Sequence, residues 1–328
     1  MPLLKIQKAA RIALKDYMGL DEGETLLVLS DEKLREIGLS IYEAGLLIAK
    51  EAFYVEIRER DISGQEPPEQ IAELMKSVDV VLAVTTQSLT HTNARIEASK
   101  LGVRVGTMPN ITPDTMIRCL NPLSYKVVNI TRRVFDSFTN IKTIKVTSKR
   151  GTDITFSVEG RQPIQSTGIL KNIGESGNIP SGEVYIAPIE NSANGVIAFD
   201  ASIAGIGILG NPVYVEIQNG LVTKISGKGG ESRLLGRLIN RYDNASKMLA
   251  EFGIGTNPFA KISGEILEDE KVLGTIHFAF GNNVSFGGTN NVPLHIDGLV
   301  TKPNVYLDDK KILEDGKLLI IPESEMQD

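Results

Sequence analysis

The feature that most limits how this chain can fold is the alternation of short apolar runs with amphipathic stretches over its first 120 residues. Residues 24–30 form an apolar run after a glycine-containing turn, and Asp31 stands as the N-cap of a helix reaching to residue 52. Strand-like runs at 53–57, 79–85 and 103–107 alternate with helical stretches at 67–77 and 93–101. Strands separated by helices pair in parallel, because each crossover returns the chain to the same end of the sheet, and the helices then cover its faces. The expectation is a small Rossmann- or flavodoxin-like α/β domain over residues 1–135, a parallel sheet with helices on both faces. No G-x-G-x-x-G follows the first strand, and Ser30-Asp31-Glu32 puts acid where a pyrophosphate would sit, which argues against a nucleotide role.

A helix over 121–139, starting after Pro122, leads into a different texture. From Lys142 onward short β-rich runs at 143–147, 153–158, 183–187, 213–217 and 221–225 are separated by glycine-rich turns, with one long helical stretch at 231–252. The second half therefore reads as an α+β, β-rich domain over 136–328, and a length of 328 residues suits two cores better than one. A hydrophobic fraction of 41% with 23% charged residues is that of a globular chain. No apolar run approaches the ~20 residues that span a bilayer. Lys5, Lys8, Arg11 and Lys15 break up any signal-peptide core at the N-terminus, so a cytoplasmic protein away from membranes is expected. A net charge of −6 without a long basic run argues against nucleic-acid binding. The single cysteine, Cys119, has no internal disulfide partner and reads as a small packed side chain.

Chemistry is sought in the second half, which holds two of the three histidines beside acidic residues. In residues 274–281 (GTIHFAFG) alternation puts Ile276, Phe278 and Phe280 on one strand face and His277 with the small Ala279 on the other. In His295-Ile296-Asp297 an imidazole and a carboxylate two apart on a strand point the same way. Glu183 opens a strand just after a Pro/Gly turn, a position that rigid scaffolds commonly use for sites. Glu251 closes the long helical stretch, where a carboxylate opposes the macrodipole and a bound cation would relieve it. Among Glu268, Asp269 and Glu270, just upstream of the His277 strand, Glu270 is the preferred candidate. Each signal has an ordinary structural alternative, but such a set of carboxylates and imidazoles suits two borderline divalent ions, zinc, cobalt or manganese, and metal-assisted hydrolysis.

At these same segments the chain resembles the aminopeptidase T family of metallopeptidases. The matching motifs are SGEVYIAP at 181–188, GIGTNP at 253–258, Asp269-Glu270, HFAFG at 277–281 and His295-Ile-Asp297, in the family's order. The resemblance implies Glu183, Glu251, Glu270, His277, His295 and Asp297 as ligands of a dinuclear centre. It implies a metal-bound water as nucleophile, Glu183 or Glu251 bridging the ions or taking the water's proton, small peptides as substrates, and a homodimer. The family has a tyrosine shortly after the strand histidine, and the corresponding place here falls at or near Val284; Tyr185 and Tyr306 are the tyrosines to inspect as replacements. The segment 281–295 also looks shortened. A related branch with the same fold, the dihydroxypyridine dioxygenases, holds one Fe(II) with two histidines and an aspartate, for which His277, His295 and Asp297 would serve. The segment 85–95 is similar to one that brings a histidine of this branch towards the active site, which adds His91 as a candidate. Retention of Glu183 and Glu251 favours the two-metal hydrolase over the iron oxygenase and over a binding protein with a vestigial site.

Overall fold

The apolar runs of the first half become the strands of one parallel sheet. The structure, a computed structural model, describes residues 2–321. In sheet order the strands are Glu51–Ile57, Thr25–Asp31, Val80–Val84, Arg104–Thr107 and Ser176–Asn178, all parallel. Leu27, Leu29, Val81, Ala83 and Val105 pack on one face with Met75, Ala94 and Ala98 of the helices Glu69–Met75 and Asn93–Lys100. The opposite face meets the helix Arg35–Gly45 so closely that a methyl group on Gly45 would lie 2.5 Å from Leu26 Cδ2. Burial on both faces explains why the central strands Thr25–Asp31 and Val80–Val84 read as nearly unbroken apolar runs. Thr92 and Thr112 cap the helices Asn93–Lys100 and Pro113–Cys119, each hydroxyl accepting from the N–H three residues on. Cys119 is buried.

Ser176–Asn178 lies far along the sequence from the other four strands. Accordingly the chain divides into one unit of residues 2–125 with Ser166–Ser181 and another of 126–165 with 182–321. The sequence reading, by contrast, placed a single division at residue 135. The helix Ser124–Ser137 falls where a helix was expected.

The second unit is built from two antiparallel sheets, of eight and seven strands among the described residues. Its core is formed where their inner faces meet. Phe156 of the strand Asp153–Ser157 in the eight-stranded sheet packs against Phe252 and Phe278 of the seven-stranded sheet, with ring centroids 5.5 and 6.0 Å apart. Val184, Ile186, Ile254, Ile276 and Phe280 complete that face.

One element differs from the expectation in a way that matters. The stretch 231–252 is not a single helix: the helix Glu231–Ile239 ends at Asn240, Asp243 caps a 3-10 turn over Asn244–Lys247, and Leu249–Gly255 is a fully buried strand. Residues 249–255 (LAEFGIG) fit a period of two as well as a helical one, and the pairing available on both sides, to Ile276–Gly281 and Glu183–Ile186, selects the strand. The macrodipole argument for Glu251 therefore falls, and a stronger positional one replaces it. No helix among the described residues is long and apolar enough to cross a membrane.

Candidate metal centre

Register brings the predicted residues onto one face of the seven-stranded sheet. Its adjacent strands Glu183–Ile186, Leu249–Gly255, Ile276–Gly281 and His295–Val300 run antiparallel to their neighbours. Glu183 pairs with Gly255, Tyr185 with Gly253, Gly253 with His277, Glu251 with Ala279, and Ala279 with Asp297. Cross-strand partners share a face, so these residues and His295, two before Asp297, all project opposite to the phenylalanine core. The glycines in this pattern make room. A methyl group on Gly253 would lie 2.1 Å from Cε1 and Nε2 of His277, so the imidazole lies flat over the glycine. A methyl on Gly255 would meet the Val272 carbonyl at 2.1 Å, because the backbone of 271–272 crosses there.

Glu251 stands between the two histidines: Oε1 lies 3.2 Å from His277 Nε2 and Oε2 lies 3.3 Å from His295 Nε2. Asp297 Oδ1 is 3.6 Å from His295 Nε2, and Glu183 Oε2 is 3.6 Å from His277 Nε2. The donor atoms fall into two groups, Glu251 with His295 and Asp297, and Glu183 with Glu270 and His277, each with all atoms within 4.8 Å of one another. His295 Nδ1 lies 2.9 Å from the Asn282 carbonyl and donates to it, which turns Nε2 towards Asp297 and Glu251. The loop behind that carbonyl is tied by its asparagines: Asn290 Nδ2 donates to Gly281 O and Ala245 O, and Asn283 Oδ1 accepts from Asn290 N–H.

The three consecutive acids separate by what holds them. Asp269 accepts from the Ser202 and Ser263 hydroxyls and from the N–H groups of Ser263 and Gly264, and Glu268 accepts from Lys261 N–H. Glu270, the residue after the short helix Ile266–Asp269, instead turns to the cluster with Lys271. The Lys271 ammonium lies 2.6 Å from Glu183 Oε1 and also contacts Glu270 Oε1, and its side chain is 2% exposed. Sequence reasoning missed this lysine. At the end of a run of three acids it carries no mark that separates it from a solvated turn.

So many carboxylates buried together perturb one another. Burial pushes the Glu270 carboxyl up, to about 8, against the pull of Lys271. For Glu251, burial acts upward too, but its hydrogen bonds to His277 and His295 outweigh it and hold the carboxyl well below the usual range. Burial lowers both imidazoles, yet the surrounding carboxylates win, raising His277 to about 9 and His295 well above its ordinary value. The cluster thus draws positive charge. Among the described residues, Glu183 Oε2 and His277 Nδ1 are buried without a hydrogen-bond partner, and an oxygen acceptor left in that state suits a cation. The donor set of oxygens and imidazoles fits a divalent metal ion.

All six predicted metal-site residues converge here, and Glu183 faces His277 rather than away from it. His91 lies elsewhere in the chain, exposed in the turn before the helix Asn93–Lys100 of the first unit. Tyr185 is on the site face, its ring edge-on to Phe286, which in turn is edge-on to His295. Tyr306 pairs with Lys145 in the eight-stranded sheet, and Val284 opens a 3-10 turn that is half exposed.

Residues 16–320 match the family model described as NicX, 2,5-dihydroxypyridine 5,6-dioxygenase. A curated 2,5-dihydroxypyridine 5,6-dioxygenase of Pseudomonas putida is 26% identical over 74% of this chain and 72% of its own. Two solved structures share the fold. The 2,5-dihydroxypyridine dioxygenase of Pseudomonas putida KT2440 has a TM-score of 0.82 at 21% identity, covering 97% of this chain and 98% of that one. AmpT of Thermus thermophilus has a TM-score of 0.72 at 15% identity, covering 96% and 99%. At those identities the structures establish the fold alone. The family match and the curated relative overturn the metallo-aminopeptidase expectation, and with it the hydrolase and protease reading. The motifs that suggested a peptidase lie on this one face and build the cluster of carboxylates and imidazoles.

Proposed function

The chain belongs to the 2,5-dihydroxypyridine 5,6-dioxygenase family, and from that premise we propose that it opens the ring of a dihydroxylated pyridine with O2, using one Fe(II). The observation that carries the reading is the grouping of Glu251, His295 and Asp297 within 4.8 Å in a chain matched by that family from 16 to 320. These three residues would hold the ion, a set with one more carboxylate than the His277, His295 and Asp297 triad expected from the sequence. Bound there, Fe(II) supplies the one-electron chemistry that lets ground-state O2 react with an electron-rich ring.

The chain's own residues then do three things. The Asn282 carbonyl accepts from His295 Nδ1–H and so sets the tautomer that turns the Nε2 lone pair towards the ion's position. His277, wedged over Gly253, holds Glu251 in place from the other side. Tyr185 and Phe286 border the site with aromatic rings, a surface against which a flat heteroaromatic substrate stacks.

The test is anaerobic loading with Fe(II) followed by 2,5-dihydroxypyridine and air-saturated buffer. One O2 consumed per substrate, with loss of ring absorbance, is the expected result. His295→Ala and Asp297→Asn should abolish both. Folded, iron-loaded protein that consumes no O2 with this substrate would remove the reading.

A further inference from the structure

Lys271 is among the largest fully buried side chains of the described residues, and it sits inside a group of metal-ligand side chains. Its ammonium contacts Glu183 and Glu270, two of the three residues of the second donor group. We infer that this ammonium occupies the second cation position of the cluster, so that the chain holds one divalent ion on Glu251, His295 and Asp297 and a built-in monovalent cation on Glu183 and Glu270. The inference rests on the single-metal reading above and supplies its physical reason.

The backbone leaves the lysine no alternative. Its N–H donates to the Glu268 carbonyl at 2.9 Å and its carbonyl accepts from Asn257 N–H at 2.8 Å. Its carbonyl carbon would lie 2.8 Å from a methyl group on Gly255, so the main chain is pressed against the strand that also carries Glu251. From that anchor the stem runs through protein, at 2% exposure, and cannot swing the charge out to water. A divalent ion placed among Glu183, Glu270 and His277 would therefore share its ligands with a fixed ammonium at near-contact distance. Repulsion there is unscreened by solvent, and a Lys ammonium already satisfies the two carboxylates through charge-assisted hydrogen bonds. The arrangement keeps a face with enough donors for two ions selective for one.

The experiment measures metal content. Untagged protein, stripped of metal, is titrated with Zn2+ calorimetrically and assayed by elemental analysis after desalting, and Mn2+-loaded samples are examined by electron paramagnetic resonance. Wild type should bind one ion per chain even at excess and give the signal of isolated Mn2+. Lys271→Met should bind two, with a spin-coupled Mn2+ pair, whereas Lys271→Arg, which keeps the charge, should stay at one. If Lys271→Met folds only when two equivalents of Zn2+ are present, the ion has replaced the ammonium and the inference stands. It falls if wild type takes up two tight ions, if folded Lys271→Met still takes one, or if Lys271→Met fails to fold at every metal concentration, since the lysine is then needed for packing. One ion without ring opening would remove the proposed reaction and leave this inference, and ring opening with two ions would do the reverse.

Discussion

Replacing Gly253 by alanine adds one methyl group beneath the His277 ring. The new carbon would lie 2.1 Å from both Cε1 and Nε2, whereas carbon contacts are comfortable at ~3.5–4.0 Å, so the ring must retreat by about 1.5 Å. The backbone at Gly253 is ordinary strand, so the clash alone sets the cost. The ring is fully buried, and Nε2 stands 3.2 Å from Glu251 Oε1. A retreat of that size carries this pair past the ~3.5 Å at which a hydrogen bond is lost. Losing a hydrogen bond to a charged group costs ~1.5–3 kcal/mol. Overpacking adds ~1–3 kcal/mol. The sum, roughly 3–6 kcal/mol, is a large part of a typical stability of ~5–15 kcal/mol. At ~2–4 °C per kcal/mol for a domain of this size, Gly253→Ala should melt roughly 5–25 °C below wild type. Thermal unfolding followed by circular dichroism, with and without Zn2+, measures this. Calorimetric titration should show metal affinity reduced by at least about tenfold, as expected when support behind a ligand is lost. A variant melting within 2 °C of wild type with unchanged affinity would refute the claim that the imidazole is wedged over this glycine.

Gly236→Ala is the control of opposite sign: it lies inside the helix Glu231–Ile239, its new methyl would meet nothing nearer than Ile225 Cδ1 at 4.0 Å, and a gain of ~0.5–1 kcal/mol should appear as a higher melting temperature. Phe278→Ala removes a fully buried ring from the opposite face of the same sheet, so it should cost ~3–5 kcal/mol in denaturant titrations while metal stoichiometry stays as in wild type. The metal-free protein should lose stability in base. His277, raised to about 9 from an ordinary ~6.5, contributes stability that is complete below the lower value and lost as pH climbs through the upper, on the order of 3 kcal/mol. Glu270, raised to about 8, acts with the same sign. A pH series of melting curves should therefore fall between about pH 5 and 9 without metal and less with it, since an ion held by Glu251 repels the proton on the neighbouring His277; a flat metal-free profile would contradict the assignment.

Within single elements the sequence was sufficient. Period-two alternation in 276–281 and 295–297 put His277, His295 and Asp297 on the face away from Ile276, Phe278 and Phe280, and the structure has them there. The unbroken apolar runs of the first half announced a parallel sheet covered on both sides, because a strand buried on both faces has no polar positions to alternate with. Periodicity reports only which residues of one element share a face, and it is silent on which elements lie side by side. Glu251 therefore read as a helix end until pairing on both flanks made residues 249–255 a strand. Ser176–Asn178 gave no sign that it would join the sheet of the first unit. Lys271 read as one charge in a solvated run until the strand beneath it and the acids around it sealed it in. The choice between hydrolysis and oxygenation also lay beyond the motifs, since the same oxygens and imidazoles serve both. The absent tyrosine near Val284, the shortened segment 281–295 and the segment 85–95 were the local signs against the peptidase. What the tertiary structure added was position: side chains distant in sequence came within hydrogen-bond reach, and a buried ammonium came to stand where a second ion was expected.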